Sequence, residues 1–239
     1  MGWLRVGHRG APREFPGNTM RGFMRAVEYG CEMVECDVRR SADGALVLAH
    51  DPHVTDVTGR TYVVAETAAE ALAAIDLGAR QGVPTLEELV AWASGRCAVM
   101  ADMKVEGDGV EQRVAEALSP LPASDKIVPG AGMTSRRLFR SLDPGLPLSL
   151  SLGRTAEELN GPDRFEALLP TMDTDAVTWE HPLLNADRIA RLHACGLRVF
   201  AWTVDDPDLM QRLVTDGVDG VISNRADLLT MLHSSSARG

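Results

Sequence analysis

No Cys-x-x-Cys spacing occurs in this 239-residue chain. Its four cysteines, Cys31, Cys36, Cys97 and Cys195, each sit in an apolar stretch, the placement of reduced core thiols rather than of a disulfide framework or a zinc site. None is needed as a staple, because a chain of this length with 45% hydrophobic residues buries most of its apolar surface unaided. Positive charge is also short. With 24 Lys and Arg against 34 Asp and Glu the net charge is -10, whereas a polyanion such as DNA is bound by clustered cations that neutralise its phosphates. Nucleic acid is therefore excluded as the main partner, while a small anion that responds to a few local charges is not. No apolar run is long enough to cross a bilayer, and no signal-type apolar segment precedes His8, so the expectation is a cytoplasmic protein without an integral membrane segment. Repeats and low-complexity segments are absent, and no surface patch decides an oligomeric state. Only the tail over 234–239 reads as disordered.

What the sequence does hold is a regular alternation of short β-branched or aliphatic runs with longer amphipathic ones, the pattern of βα units on a parallel sheet. Eight strands are expected, at Leu4 to His8, Met33 to Val38, Cys97 to Met103, Lys126 to Pro129, Pro147 to Leu152, Ala176 to Glu180, Leu197 to Trp202 and Gly220 to Ile222. Helices are expected between them, at Met20 to Tyr29, Leu86 to Ala93, Val110 to Leu118, Ser135 to Leu142, Ala156 to Leu168, Ala186 to Ala194, Pro207 to Thr215 and Ala226 to Leu232. Boundary chemistry agrees with the periods: Thr85 precedes Glu87-Glu88 as a capping box, Asp206-Pro207 opens a helix, and Gly196 and Gly217 sit where helices stop. One further run, Leu46 to His50, follows Asp43-Gly44. A tight turn cannot supply a parallel crossover, so this strand should run antiparallel to its predecessor. The fold class is α/β: a (β/α)8 TIM barrel with a small insertion after the second strand, a single domain over 1–233 with the insertion at about 45–83.

Glu35 and Asp37 lie two apart near the end of the second expected strand, so both side chains fall on one face. Asp102 and Lys104 repeat that spacing at the end of the third. Barrels of this kind build their sites at the C-terminal ends of the strands. Three carboxylates gathered there are costly unless positive charge shares the site. Two arrangements meet the need, and the spacing leaves both open. One is a hard divalent cation, Ca²⁺ or Mg²⁺, for an all-oxygen donor set. The other is a set of salt bridges, Glu35 and Asp37 with Arg39 or Arg40 and Asp102 with Lys104. His8 ends the first strand in Gly-His-Arg-Gly, and His50 ends the hairpin strand in Ala-His-Asp-Pro. A phosphodiester displacement needs one group to take a proton from the attacking oxygen and another to give one to the leaving alkoxide, and histidine does both near neutral pH. A lone strand-end histidine is commonly structural; two beside the carboxylate strand suit an acid-base pair. The other four, His53, His181, His193 and His233, lack that placement, although His53 and His181 could lie at the mouth.

The string Gly7-His8-Arg9-Gly10, Pro16-Gly17-Asn18-Thr19, Glu35-Cys36-Asp37-Val38, Asp43-Gly44, His50-Asp51, Pro84-Thr85-Leu86-Glu87-Glu88 and Trp202-Thr203-Val204-Asp205 resembles the ordered motifs of the glycerophosphodiester phosphodiesterase family, nearly end to end. The resemblance implies an α/β barrel with a small insertion, dependence on Ca²⁺ or Mg²⁺, and cleavage of glycerophosphodiesters, as small-molecule substrates, to glycerol phosphate and an alcohol. It also implies roles. His8 and His50 would be the acid-base pair, Glu35, Asp37 and Asp102 the metal ligands, Arg9 and Lys104 the phosphate contacts, and Trp202 the lining of the glycerol end.

Three departures from the family pattern stand out. Gly17 replaces the usual acid of Pro-Glu-Asn-Thr, and Glu14 is the nearby candidate to stand in for it. Asp102 replaces the usual glutamate and is one methylene shorter. Asp56-Val57-Thr58-Gly59 takes the place of an arginine and paired threonines. A lyase that releases a cyclic phosphate, and a barrel that binds a phosphorylated ligand without turnover, are the competing readings of the same residues.

Overall fold

The computed structural model describes residues 2–153 and 171–232. Eight parallel strands form the frame: β1 (Leu4–His8), β2 (Met33–Arg40), β6 (Ala98–Met103), β7 (Lys126–Ile127), β8 (Ser149–Leu152), β9 (Ala176–Glu180), β10 (Arg198–Trp202) and β11 (Gly220–Ser223). They are ordered β7-β6-β2-β1-β11-β10-β9-β8. A parallel bridge from Val128 to Leu148 joins the two ends of that order, so the sheet curls into a nearly closed (β/α)8 barrel. Two of the expected strands are shorter than their apolar runs. β7 stops at Ile127 because Pro129 has no amide to donate and the chain turns at Gly130. β8 begins only at Ser149, after the proline-containing Pro147-Leu148 entry.

Helices α1 (Met20–Glu28), α3 (Leu86–Ala93), α4 (Val110–Leu118), α5 (Met133–Leu142), α6 (Ala186–Ala194), α7 (Pro207–Asp216) and α8 (Ala226–Leu229) lie between the strands. Thr85 caps α3 in a reciprocal box with Glu88, Asp206 accepts from Leu209 N at the start of α7, and Gly217 ends α7 in the left-handed region. The main apolar cluster lies between barrel and helices and includes Phe23, Leu86, Leu89, Val99, Phe139 and Trp179. A second cluster, with Val6, Met33, Met100, Ile127, Phe200 and Ile222, fills the barrel interior and forms the floor on which the polar mouth rests.

The insertion follows β2 as expected. β3 (Leu46–Leu48) pairs antiparallel with β2, Val38 opposite Leu48 and Arg40 opposite Leu46. The chain then forms a two-stranded hairpin of β4 (His53–Thr55) and β5 (Thr61–Val63) and a short helix α2 (Ala69–Ala74), packed on a small cluster of Val47, Ala49, Val64, Leu72 and Val83. This excursion sets His50 at the lip of the barrel, where both Arg39 Nε and a terminal guanidinium nitrogen donate to its carbonyl at 2.9 and 2.7 Å. Cys31, Cys36 and Cys97 are buried, but Cys195 is exposed: it caps the C-terminus of α6 and its side chain points off the packed face. The helix expected at Ala156 to Leu168, and the tail Ser234 to Gly239, lie outside the described residues. Among the described residues no helix is long and apolar enough to cross a membrane.

Candidate active site

Strand register brings the acids together. Asp37 on β2 is aligned with Asp102 on β6, and His8 on β1 with Glu35 on β2, so one rim of the barrel carries all four. Glu35, Asp37 and Asp102 each offer an oxygen within 4.8 Å of the others. The loop after β1 is shaped to serve them. Arg9 and Asn18 both sit at positive φ, 55° and 60°, a strained conformation for Arg9 that costs about 1–2 kcal/mol. That conformation aims the Arg9 amide at Glu35 Oε2, 2.9 Å away, and its Nε at Asp37 Oδ2, 3.0 Å away. Asn18 grips Asp37 twice, donating from Nδ2 to Oδ2 at 2.8 Å and accepting from the Asp37 amide at 3.0 Å.

Lys104 completes the cluster. Its Nζ lies 2.5 Å from Asp102 Oδ2 and 3.0 Å from Asp37 Oδ1. Burial pushes the Glu35 carboxyl well above its ordinary pKa, and the neighbouring charges of Asp37 and Asp102 add to that. Burial also raises Asp102, against the opposing pull of Lys104. For Asp37 burial is outweighed by Lys104 and Arg9, which together with Asn18 hold its carboxyl below the usual range. Lys104 is raised, since the two aspartates outweigh its own burial. Three carboxylates thus face two cationic side chains. Asp102 Oδ1 is buried with no hydrogen-bond partner among the described residues, and Asp37 Oδ1 has only the unaligned approach of Lys104. Orphaned oxygens in an all-oxygen, net-negative set fit a hard divalent cation.

The histidines flank this cluster. His8 presents Nε2 toward Glu35 Oε2 at 3.8 Å, and its Nδ1 is 2.7 Å from Asn224 Oδ1. Burial, then the Arg9 charge, lower its pKa. His50 stands more exposed at the lip, with Nδ1 3.0 Å from Asp51 Oδ1. Trp202 closes the opposite wall, its Nε1 donating to Thr178 O at 3.0 Å. His8, Arg9, Glu35, Asp37, His50, Asp102, Lys104 and Trp202, the eight residues singled out from the sequence, all line one cavity of about 310 Å³. That volume suits a small molecule.

Other sequence expectations fare differently. Asp102 does pair with Lys104, but Glu35 and Asp37 do not pair with Arg39 or Arg40. Arg39 is spent on the His50 carbonyl and Arg40 on Asp108. Glu14 does not replace the missing acid at Gly17, for it faces outward and binds Arg25 and Tyr29. At Gly17 a Cβ would sit 3.2 Å from Arg9 Cβ, so the missing side chain is one that would cover Arg9. His53 and His181 are not among the residues lining the cavity. Asn18, Asp205 and Asn224 escaped notice as site residues, although Asn18 and Asp205 lie inside the motif string. Gly130 escaped too: with φ at +78° it passes so close that a Cβ would lie 2.2 Å from Asp102 Oδ1.

A barrel whose interior is packed below and polar at the C-terminal rim, with acids, cations and histidines converging on a cavity of small-molecule size, defines an α/β-barrel enzyme. Comparison with known proteins narrows the class. The model of the Glycerophosphoryl diester phosphodiesterase family matches residues 8–228, and the chain belongs to that family. It is 31% identical over 248 residues to a Mycobacterium tuberculosis protein named "Probable glycerophosphodiester phosphodiesterase 2", covering 95% of this chain and 89% of that one. Its fold is similar to that of a glycerophosphodiester phosphodiesterase from Thermotoga maritima, with a TM-score of 0.79, 21% identity, and coverage of 98% and 99% of the two chains. It is similar also to an Oleispira antarctica phosphodiesterase solved in complex with the product sn-glycerol-3-phosphate, with a TM-score of 0.82, 21% identity and 95% coverage of each chain.

Proposed function

We propose that this protein hydrolyses glycerophosphodiesters to glycerol phosphate and an alcohol, with His8 and His50 as the acid-base pair and with a divalent cation, Ca²⁺ or Mg²⁺, held by Glu35, Asp37 and Asp102. The observation that carries the reading is the convergence of two histidines, three carboxylates, Arg9 and Lys104 on one cavity, in a chain of this family. A bound cation would draw charge from the phosphoryl oxygens. Arg9 and Lys104 supply fixed positive charge at the same end of the cavity, where stabilising the pentacoordinate charge contributes most. One histidine takes the proton of the attacking oxygen and the other returns one to the departing alcohol. The wall formed by Trp202 receives the glycerol end, its ring held by the bond to Thr178.

The test is product analysis by phosphorus NMR on glycerophosphocholine and glycerophosphoethanolamine, with Mg²⁺, Ca²⁺ or chelator. Glycerol phosphate is expected with cation and not with chelator, and turnover of His8→Ala and of His50→Ala should fall by about a hundredfold or more. A cyclic phosphate as the sole product would replace hydrolysis with a lyase reaction. Full activity in both histidine variants would remove the acid-base assignment.

A further inference from the structure

Behind His8 lies a chain of side chains that the reaction as described above does not use. Asp205 follows β10, and Asn224 follows β11, the strand paired with β1. Asp205 Oδ1 accepts from Ser223 Oγ at 3.0 Å and from the Asn224 amide at 2.8 Å, and Asp205 Oδ2 accepts from Asn224 Nδ2 at 2.9 Å. An ionised carboxylate only accepts hydrogen bonds. The side of the Asn224 amide that faces it must therefore be the NH₂ group, which turns the carbonyl oxygen toward His8. That oxygen, 2.7 Å from Nδ1, can only accept, so the ring must donate from Nδ1. A neutral imidazole with its proton on Nδ1 has a lone pair on Nε2. Nε2 is the nitrogen that faces the cavity, and at 3.8 Å from Glu35 Oε2 it is beyond hydrogen-bond reach of that carboxylate, whose Oε2 is already taken by the Arg9 amide.

We infer that Asp205 and Asn224 are positioning residues that hold a proton on His8 Nδ1 and so make Nε2 the ring nitrogen through which His8 exchanges a proton in the cavity. The inference rests on the hydrolase reading for the identity of the reaction. In the reaction so served, a bond forms between phosphorus and the attacking hydroxyl oxygen, whose proton passes to one of the two histidines. The bond from phosphorus to the alcohol oxygen breaks with its electron pair on that oxygen, which takes a proton from the other histidine; His8 acts through Nε2 in either role, because the imidazolium also donates from Nδ1. Exchange with solvent restores both rings. The direction of the relay follows from donor and acceptor chemistry alone: a carboxylate that only accepts, an amide with one end of each kind, and a ring that must then donate.

The first test is spectroscopic and needs no substrate. In protein labelled with ¹⁵N-histidine, with the His8 signals assigned by their loss in His8→Gln, long-range proton-nitrogen correlations read which ring nitrogen carries the proton of the neutral ring. Nδ1–H is expected in the native protein. Nε2–H as the main form would overturn the inference. The second test is kinetic, on the best-cleaved glycerophosphodiester. Asn224→Ala should lower kcat by about ten- to a hundredfold while KM stays within about twofold, as expected of an outer partner that orients a reacting group. Asn224→Asp sets two carboxylates against each other and should be impaired as well. The double variant Asp205→Asn with Asn224→Asp restores the order, since the new asparagine donates to the new carboxylate, which accepts from Nδ1; its kcat should recover at least about tenfold over Asn224→Asp. Equal impairment of single and double variants, with melting temperatures unchanged, would refute the relay. If no diester were cleaved by the native protein, the hydrolase reading would fail while the tautomer measurement still decided the relay.

Discussion

Gly130 gives the most searching test of how the acid cluster is held. It follows β7, with φ at +78°, and a Cβ placed on it would meet Asp102 Oδ1 at 2.2 Å, Met103 O at 2.7 Å and Met103 N at 3.0 Å. The Met103 atoms cannot yield, because they belong to β6 and Met103 N is bonded to Pro129 O at 3.1 Å. In Gly130→Ala the loop that carries residue 130 must therefore shift away from Met103 O, and the Asp102 carboxylate, met at 2.2 Å, must retreat by about 1 Å to reach ordinary van der Waals separation. Two losses add. The left-handed backbone costs an alanine about 1–2 kcal/mol, a fall in melting temperature of about 2–8 °C for a chain of this size. Misplacing a group of the site by about 1 Å costs on the order of a hundredfold in turnover. The assay pairs steady-state cleavage of a glycerophosphodiester at saturating Mg²⁺ with calorimetric titration of Mg²⁺ into the substrate-free protein. Cation affinity should weaken together with kcat/KM, and Asp102→Asn should produce the same pair of changes. If Gly130→Ala and Asp102→Asn both kept full cation affinity and kcat/KM, Asp102 would have no part in either.

Lys104→Met removes the cation between Asp37 and Asp102 and should lower kcat/KM by about a hundredfold, the usual cost of one charge-stabilising donor, without abolishing Mg²⁺ binding; calorimetry and initial rates separate the two effects. Trp202→Phe keeps the aromatic wall and loses the bond to Thr178 O, so a stability loss of about 1 kcal/mol with kcat within a few-fold of native is expected from thermal melts and initial rates. On the stability side, Glu111 on α4 is buried, yet the bonds from Ser135 Oγ at 2.6 Å and Gly107 N at 2.9 Å outweigh that burial and hold its carboxyl below the ordinary value. A depressed pKa contributes stability above the unfolded value of about 4.3 that is lost as pH falls through the folded one. Ser135→Ala should thus cost about 1 kcal/mol at neutral pH in urea titrations, with the gap to native protein shrinking below about pH 4; a gap that did not vary with pH would reject the linkage.

The barrel was legible because its signals are local. Strand and helix periods, the Thr85 box, the Asp206-Pro207 opening and the tight turn at Asp43-Gly44 each depend on a few adjacent residues, and the structure repeats them nearly in place. The eight proposed site residues were legible for a related reason: His8, Arg9, Asp102, Lys104 and Trp202 lie at or just past the C-terminal ends of parallel strands, which meet at one rim, while Glu35 and Asp37 share one face of β2 and His50 follows the antiparallel β3 that the turn at Asp43-Gly44 predicts. The partners that hold them were not. Asn224 meets His8 across 216 positions of sequence, and only the pairing of β1 with β11 brings them together. Gly130 carries no side chain to read, and its importance is visible only as the space that Asp102 occupies. Cys195 failed as a core residue because an apolar neighbourhood in sequence does not decide which side of a helix terminus faces out.

Spacing alone left a divalent cation and a set of salt bridges as rival ways to neutralise the acids, and the geometry shows why they need not compete. Each carboxylate has two oxygens, and the protein's own donors use them unevenly. Glu35 Oε2 accepts from the Arg9 amide, Asp37 Oδ2 accepts from Asn18 with the Arg9 guanidinium in ion-pair contact, and Asp102 Oδ2 accepts from Lys104. Asp102 Oδ1 is left buried and unpartnered, and Asp37 Oδ1 without an aligned donor. Ion pairs therefore orient the acids without saturating them, so Arg9 and Lys104 are drawn into the mouth by the same charges that would hold a cation there. Positive side chains kept in place by the acid cluster are already where an anionic phosphoryl group would need them, and none has to be recruited when substrate arrives. The shorter Asp102 is consistent with this arrangement, since it meets Lys104 at 2.5 Å with one oxygen while leaving the other for the site.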